Sequence, residues 1–290
     1  MTMQAAYRAT PPCVLVFSGS DPSGGAGMQA DIPAITALGC HPLSVPTALT
    51  VQDNVSVFAV HALDPELVRH QAQVLIDRFD IAAVKLGIAG SHENAEVIAG
   101  LIRQLRARDP QLPVVLDPVL ANGKGDQLSR DDAARVIEPL YELATVITPN
   151  LNEARRLCGD VEPARQAALL MKRGCAHVLL KGGHGPQEQD VINRWYGQLL
   201  RSEFAEEAIE SARWCWPRLS DEFHGSGCTL AAALSACLAR GLPMREAIEL
   251  AQQYTQHALS TSYAIAEGQR IPNRVPAFEP VIDAAVAAGA

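Results

Sequence analysis

Apolar positions along this chain fall into two recurring patterns: short continuous runs, and longer stretches with helical spacing. Runs at residues 14–17, 82–87, 113–119, 145–148 and 178–181 lack the alternation of a half-exposed strand, so they predict strands buried on both faces. Between them, residues 28–38, 65–79, 95–108, 131–143 and 162–173 carry apolar side chains at helical intervals and predict helices, the first stopped by Gly39. A further strand-like stretch ends near Gln52. Strands alternating with helices predict βαβ crossovers, hence a parallel sheet with helices on both faces. Residues 190–219 break the rhythm and contain Trp195, Trp214 and Trp216; they predict antiparallel strands at one edge, with the indoles packing rather than stacking on a ligand. Helical spacing returns at residues 225–240 and 244–266. No repeat or low-complexity linker divides the chain, so a single domain is expected over residues 1–290, with 1–12 and 272–290 peripheral.

Composition narrows the classes. The chain has 290 residues, 48% hydrophobic and 19% charged, enough apolar material for a large core and too much for a disordered protein. A net charge of −8 argues against nucleic-acid and membrane-surface partners, which require a basic face. No apolar run approaches the roughly 20 residues of a membrane helix. Residues 1–13 lack the apolar segment of a secretory signal. Seven cysteines without a Cys-x-x-Cys pair support neither a disulfide framework nor a zinc cage, and a cytoplasmic location is expected.

In open α/β sheets ligands bind at the carboxyl ends of the strands. Polar, glycine-rich segments fall at those ends: Ser18-Gly-Ser-Asp-Pro-Ser-Gly-Gly-Ala-Gly27, Thr47-Ala-Leu-Thr-Val-Gln52, Lys85-Leu-Gly-Ile88, Asp117-Pro-Val-Leu120, Thr148-Pro-Asn-Leu-Asn-Glu153 and Lys181-Gly-Gly-His184. A seventh, His224-Gly-Ser-Gly-Cys-Thr229, opens a helix. Its residues Gly225, Ser226, Gly227 and Cys228 suit an anion nest, with successive N–H groups converging and the positive end of a helix dipole behind them. Cys228 at that terminus is expected to have a depressed pKa and to take a proton from an attacking hydroxyl. A capped helix with a buried thiol fits the same residues. Asn150 and Glu153 suit a hydrated Mg²⁺, and equally an N-cap with an acidic first turn. Lys181 either reaches phosphate oxygens or snorkels from a strand end. Asp117 is a turn cap or a metal-side carboxylate. Gln52, with one acceptor and two donors, matches an aminopyrimidine edge or serves as a turn residue. His41, His61, His177 and His257 are expected to be structural.

Taken together, these motifs resemble the ribokinase superfamily, and within it the hydroxymethylpyrimidine/phosphomethylpyrimidine kinases of thiamine biosynthesis, from about residue 14 to residue 267. The resemblance implies a three-layer α/β/α sandwich with a mostly parallel central sheet and a small antiparallel edge. It implies transfer of the ATP γ-phosphate to hydroxymethylpyrimidine and then to its monophosphate, in a homodimer. It places the pyrimidine on Gly19, Asp31, Gln52, Ile88 and Val119. Cys228 takes the slot where most ribokinase relatives carry an aspartate base, beside an anion hole of residues 225–228. Lys181, Asn150 and Glu153 serve the nucleotide, and Asp117 and Glu153 the Mg²⁺. Three departures stand out: Asp221-Glu222-Phe223 where relatives usually show Lys/Arg-Asn-Thr, Ile88 where many have methionine, and the tryptophan-rich stretch 195–216. A pyridoxal kinase of the same superfamily and a non-catalytic pyrimidine sensor are the competing readings.

Overall fold

Alternate residues of the inner strands point to opposite faces of the sheet, and each face meets its own set of helices. The computed structural model describes residues 10–120, 133–183, 190–199 and 207–275. Its elements run β1 (Cys13–Ser20), α1 (Gly27–Ala37), β2 (His41–Gln52), β3 (Val57–Ala62), α2 (Pro65–Arg78), β4 (Ile81–Leu86), α3 (His92–Arg108), β5 (Val114–Leu116), α4 (Ala133–Val136), β6 (Val146–Ile147), α5 (Leu151–Cys158), α6 (Pro163–Lys172), β7 (His177–Leu180), β8 (Asp190–Leu199), β9 (Ala208–Pro217), α7 (Ser226–Ala239) and α8 (Met244–Ser260). The strands form one nine-stranded sheet in the order β3-β2-β1-β4-β5-β6-β7-β8-β9. Strands β2 through β7 in that order pair in parallel, whereas β3 at one edge and β8 and β9 at the other are antiparallel.

The core follows from period-two alternation. Leu15, Phe17, Val84 and Leu86 pack with Val68 and Ala72 of α2 and Ile98 and Ile102 of α3. Their neighbours Val14, Val16 and Ala83 face the other way, onto Ala34 and Ile35 of α1 and Ala232 and Ala236 of α7. Val115, Val146 and Leu179 continue that second face against α7 and α8. This is the three-layer arrangement the sequence implied. Trp195 and Trp214 pack against the same cluster, and the Trp216 indole N–H donates to Gln252 Oε1 at 2.9 Å, so all three indoles have packing partners.

Several boundaries differ from expectation. The helix predicted over residues 131–143 is α4 followed by a 3-10 segment, Glu138–Leu143, because Pro139 has no N–H to continue an α-helix; residues 131 and 132 lie outside the described residues. Strand β3 was not anticipated. Its hairpin turn is built by Asp53, whose Oδ1 accepts from the Val55 and Ser56 amides, both at 2.8 Å. Helix α8 stops at Ser260, after which Tyr263 pairs with Ile271. The segment expected to be peripheral from residue 272 is not so at its start: Pro272 and Arg274 are buried, while residues 276–290 and 1–9 lie outside the described residues. Among the described residues no helix is long and apolar enough to cross a membrane.

Chain order reverses between the adjacent strands β1 and β4. The loops leaving their carboxyl ends go to opposite faces and open a crevice there.

Candidate active site

Three backbone segments meet at this crevice, and the glycines explain how. Gly225 caps α7 with φ +84°, a left-handed conformation. A Cβ at position 225 would lie 2.0 Å from the Gly25 carbonyl oxygen and 2.9 Å from Ala26 Cα. Gly27 has φ +54°, and a Cβ there would lie 2.3 Å from the Gly19 carbonyl oxygen. The exit of β1, the 23–27 loop and the entrance of α7 are therefore in backbone contact, which side chains would prevent.

Asp21 shapes the first loop. One carboxylate oxygen accepts from the Ser23 amide and hydroxyl, both at 2.8 Å, and the other accepts from the Ala26 amide at 2.7 Å and lies 2.8 Å from His224 Nε2. Burial opposes its ionisation, but the hydrogen bonds from His224, Ser23 and Ala26 win and hold its pKa below the usual carboxylate range. Asp21 and His224 thus couple the two glycine loops.

At the entrance of α7 the amides of residues 225–228 donate to no acceptor among the described residues. These are the first N–H groups of a 14-residue helix, which the helix itself leaves without an acceptor. Beneath it sits Lys181, whose Nζ would lie 3.1 Å from a Cβ placed on Gly227. Lys181 Nζ donates to Asp117 Oδ1 at 2.9 Å, and the Thr148 hydroxyl donates to the same oxygen at 3.0 Å. Burial works against the Lys181 ammonium, yet Asp117 and Glu153 hold its pKa above the ordinary lysine value. His184, which completes the Lys181 motif, lies outside the described residues.

A second buried pair faces the nest. Lys85 Nζ donates to Asp31 Oδ2 at 2.9 Å, with both side chains fully buried. Asp31 Oδ1 has no hydrogen-bond partner. Burial raises the Asp31 pKa despite the opposing pull of Lys85 and Ser18. Lys85 lies within a motif the sequence singled out, but no role was read for it; a lysine inside an apolar strand was the available signal.

Cys228 lies between the two pairs, part-buried rather than sealed off. Its thiol does not have the depressed pKa that its helix position suggested. Burial pushes it up to about 11, Asp31 and Asp117 add to that, and Lys85 and the Gly27 amide only partly compensate. Within about one turn the helix dipole offers a fraction of a charge, which loses to desolvation plus two neighbouring carboxylates. Cys228 therefore stands as a neutral thiol near pH 7.

Asn150 and Glu153 form a capping box. Asn150 Oδ1 accepts from the Glu153 amide at 2.9 Å, and Glu153 Oε2 accepts from the Asn150 amide at 2.7 Å. The helix-cap alternative is realised, and α5, absent from the sequence reading, is the helix it starts. Asn150 Oδ1 is committed to that cap. The Glu153 carboxylate still faces Lys181 and Asp117, and burial pushes it up to about 7, with Lys181 opposing and Asp117 adding to the shift. Among the described residues no group of three or more His, Cys, Asp or Glu forms a metal cage. Asp117 and Glu153 fit a largely hydrated ion with few protein ligands, not a closed site.

The residues expected around the heterocycle make local contacts near the carboxyl ends of the strands. A Cβ on Gly19 would lie 3.5 Å from Ile88 Cδ1, and the Thr47 hydroxyl donates to the Ile88 carbonyl. The Val119 amide donates to the Asp117 carbonyl at 2.8 Å. Gln52 Nε2 donates to the Thr50 hydroxyl at 2.7 Å, which donates to the Ser20 carbonyl at 2.9 Å, tying Gln52 to the β1 exit. Of the acidic pair ahead of the helix entrance, Asp221 lies 3.8 Å from Arg270 Nε, and the Glu222 backbone carbonyl accepts from the Arg270 amide at 2.8 Å.

A doubly wound sheet whose switch-point crevice brings together unengaged helix-entrance amides, two lysines and a neutral thiol defines a small-molecule phosphotransferase of ribokinase-like architecture. The family profile described as phosphomethylpyrimidine kinase matches residues 21–273, and the chain belongs to that family. The hydroxymethylpyrimidine/phosphomethylpyrimidine kinase of Rhizobium meliloti is 38% identical over 262 residues, covering 88% of this chain and 93% of that protein. Part of the thiamine biosynthesis bifunctional protein of Geobacter sulfurreducens, 54% of its length, is 36% identical over 93% of this chain. Among solved structures, pyridoxal kinase of Bacillus subtilis in an ADP complex superposes with a TM-score of 0.73 at 29% identity, covering 91% of this chain and 98% of that one. Phosphomethylpyrimidine kinase of Clostridium difficile gives 0.68 at 29% identity, covering 86% and 99%.

Proposed function

We propose that the protein transfers the γ-phosphoryl group of ATP to the hydroxymethyl oxygen of 4-amino-5-hydroxymethyl-2-methylpyrimidine, and then a second phosphoryl group to the resulting monophosphate. The observation that carries this reading is the set of unengaged amides at residues 225–228, with Lys181 beneath them and Cys228 beside them. In each step an O–P bond forms at the acceptor oxygen and the bond from the γ-phosphorus to the bridging β-phosphate oxygen breaks, releasing ADP; the first acceptor is a hydroxyl, whose proton leaves, and the second is a phosphate oxygen. Phosphoryl transfer demands in-line positioning and charge stabilisation more than covalent chemistry. The amides and Lys181 supply both to the transferred group. A thiol at about pKa 11 is protonated near pH 7 and cannot accept another proton, so Cys228 orients the acceptor oxygen, and the hydroxyl proton passes to an oxygen of the transferred phosphoryl group.

Asp31 supports a heterocycle with N–H donors: its carboxyl meets Lys85 and Ser18, no hydrogen bond engages its buried Oδ1, and an amino or protonated ring nitrogen would satisfy it. Gln52 offers the remaining complementary edge, and Gly19, Ile88 and Val119 the apolar wall. Asp117 and Glu153 would hold Mg²⁺ together with phosphate oxygens and water. Bound there, Mg²⁺ neutralises charge on the phosphates. The half-exposed apolar side chains Leu49, Val51 and Phe58 on the β2–β3 hairpin support self-association as a homodimer. Seven free cysteines fit a cytoplasmic setting.

The pyridoxal kinase alternative is favoured by one observation, the superposition on solved pyridoxal kinases. Competition decides it. Purified protein with Mg·ATP and equal concentrations of hydroxymethylpyrimidine and pyridoxal should yield the pyrimidine mono- and diphosphates in excess. Preferential turnover of pyridoxal would replace the pyrimidine assignment, and turnover of neither would leave a pyrimidine-binding protein without kinase activity.

A further inference from the structure

Arg274 arrives from the segment after Ile271 and penetrates the crevice, 5% exposed. Its Nε donates to Thr229 Oγ1 at 2.9 Å, and its Nη2 donates to the Gly25 carbonyl at 2.5 Å and the Gly225 carbonyl at 3.4 Å. Thr229 Oγ1 itself donates to the Gly225 carbonyl at 2.8 Å. One guanidinium therefore spans the loop after β1, the cap of α7 and the first turn of that helix. The segment is fastened behind it: the Tyr254 hydroxyl donates to the Arg274 carbonyl at 2.8 Å, and the Asn273 amide to the Ala258 carbonyl at 2.8 Å. These anchors are on α8, so the reach of Arg274 is fixed.

The charge is as informative as the bonds. Among the described residues no carboxylate lies within ion-pair distance of Arg274; all its partners are carbonyl or hydroxyl oxygens. A buried cation without a directly paired counter-charge is costly, and burial lowers the Arg274 pKa, with Asp31 the one carboxylate pulling it back, from beyond ion-pair distance. A tether that served packing alone has no use for such a charge. An anion arriving at the adjacent nest supplies the missing balance.

We propose that Arg274 is a positioning residue for phosphoryl transfer: it locks the two glycine loops together, aims the amides of residues 225–228, and adds positive potential behind them. This rests on the kinase reading above.

The test compares wild type with Arg274→Met and Arg274→Lys. Arg274→Met should lose about 100-fold in kcat, the scale for a misplaced transfer geometry, while the pyrimidine KM moves by no more than about twofold. Millimolar guanidinium should restore part of that kcat, which it would not do for a loss of general stability. Arg274→Lys keeps the charge but cannot bridge two loops, and should lose about tenfold in kcat without guanidinium rescue. Wild-type kcat in either variant overturns the proposal, as does a loss in Arg274→Met that guanidinium leaves unchanged. Should Arg274→Met fail to fold, Arg274→Lys alone decides. Calorimetric titration with inorganic pyrophosphate separates this proposal from the kinase reading. If wild type phosphorylates neither alcohol, weaker pyrophosphate binding by Arg274→Met still supports the role in aiming the nest, and equal binding rejects it.

Discussion

Replacing Lys85 by methionine isolates the energetics of the buried pair at the centre of the site. Lys85 Nζ and Asp31 Oδ2 are 2.9 Å apart and both side chains have no solvent exposure. At an effective dielectric constant of about 20, unit charges at that distance attract by about 6 kcal/mol. Desolvation of both groups offsets much of this, so the pair's net contribution is smaller. Methionine fills the lysine volume but leaves Asp31 alone, and uncompensated buried charges typically cost about 3–5 kcal/mol. Measured in urea with a slope of about 3 kcal/mol/M, that loss lowers the unfolding midpoint by about 1–1.7 M. The loss has a definite pH sign. Burial already raises the Asp31 pKa, and without Lys85 it rises further. A carboxyl group whose folded pKa exceeds its unfolded value favours the fold at low pH, and that advantage disappears as pH rises through the folded value. The Lys85→Met deficit should therefore be smallest near the unfolded carboxylate value, about pH 4, and grow as the pH rises above it. Asp31→Asn in the Lys85→Met background should recover most of it. The reasoning is refuted by a deficit that does not grow with pH, or by a double variant no more stable than Lys85→Met.

Cys228→Ala should lower kcat by about 100-fold, the scale for a misplaced acceptor oxygen, with the pyrimidine dissociation constant nearly unchanged; wild-type turnover would remove the thiol from the reaction. Alkylation of Cys228, followed by peptide mass, should accelerate about tenfold per pH unit from 7 to 10, because its pKa is raised to about 11; a plateau below pH 9 would contradict that environment. Gly225→Ala forces a left-handed conformation costing about 1–3 kcal/mol and a clash with the Gly25 carbonyl, so both thermal stability and phosphoryl transfer should fall; unchanged kcat would mean that the nest is not used. Gln52→Ala should weaken pyrimidine binding by about tenfold through a lost hydrogen bond, and an unaltered dissociation constant by calorimetry would reject the contact.

The sequence by itself determined the sheet and the address of its chemistry. Uninterrupted runs such as residues 14–17 can only be satisfied by burial on both faces, and that dictates parallel strands covered by helices. Glycines at 27 and 225 mark backbone approaches that any side chain would block, so a close meeting of these two loops was legible before their partners were known. Asn150 and Glu153 show the limit of local reading, since a capping box and a magnesium ligand pair have the same spacing. Only the fold could decide between them, through the hydrogen bonds that actually form. The Cys228 pKa, the Lys85–Asp31 pair and the insertion of Arg274 were also beyond reach of the linear chain. Each depends on groups dozens to hundreds of residues apart, and a desolvation penalty or a Coulomb attraction is set by distance and burial, which are properties of the packed structure and not of neighbouring letters.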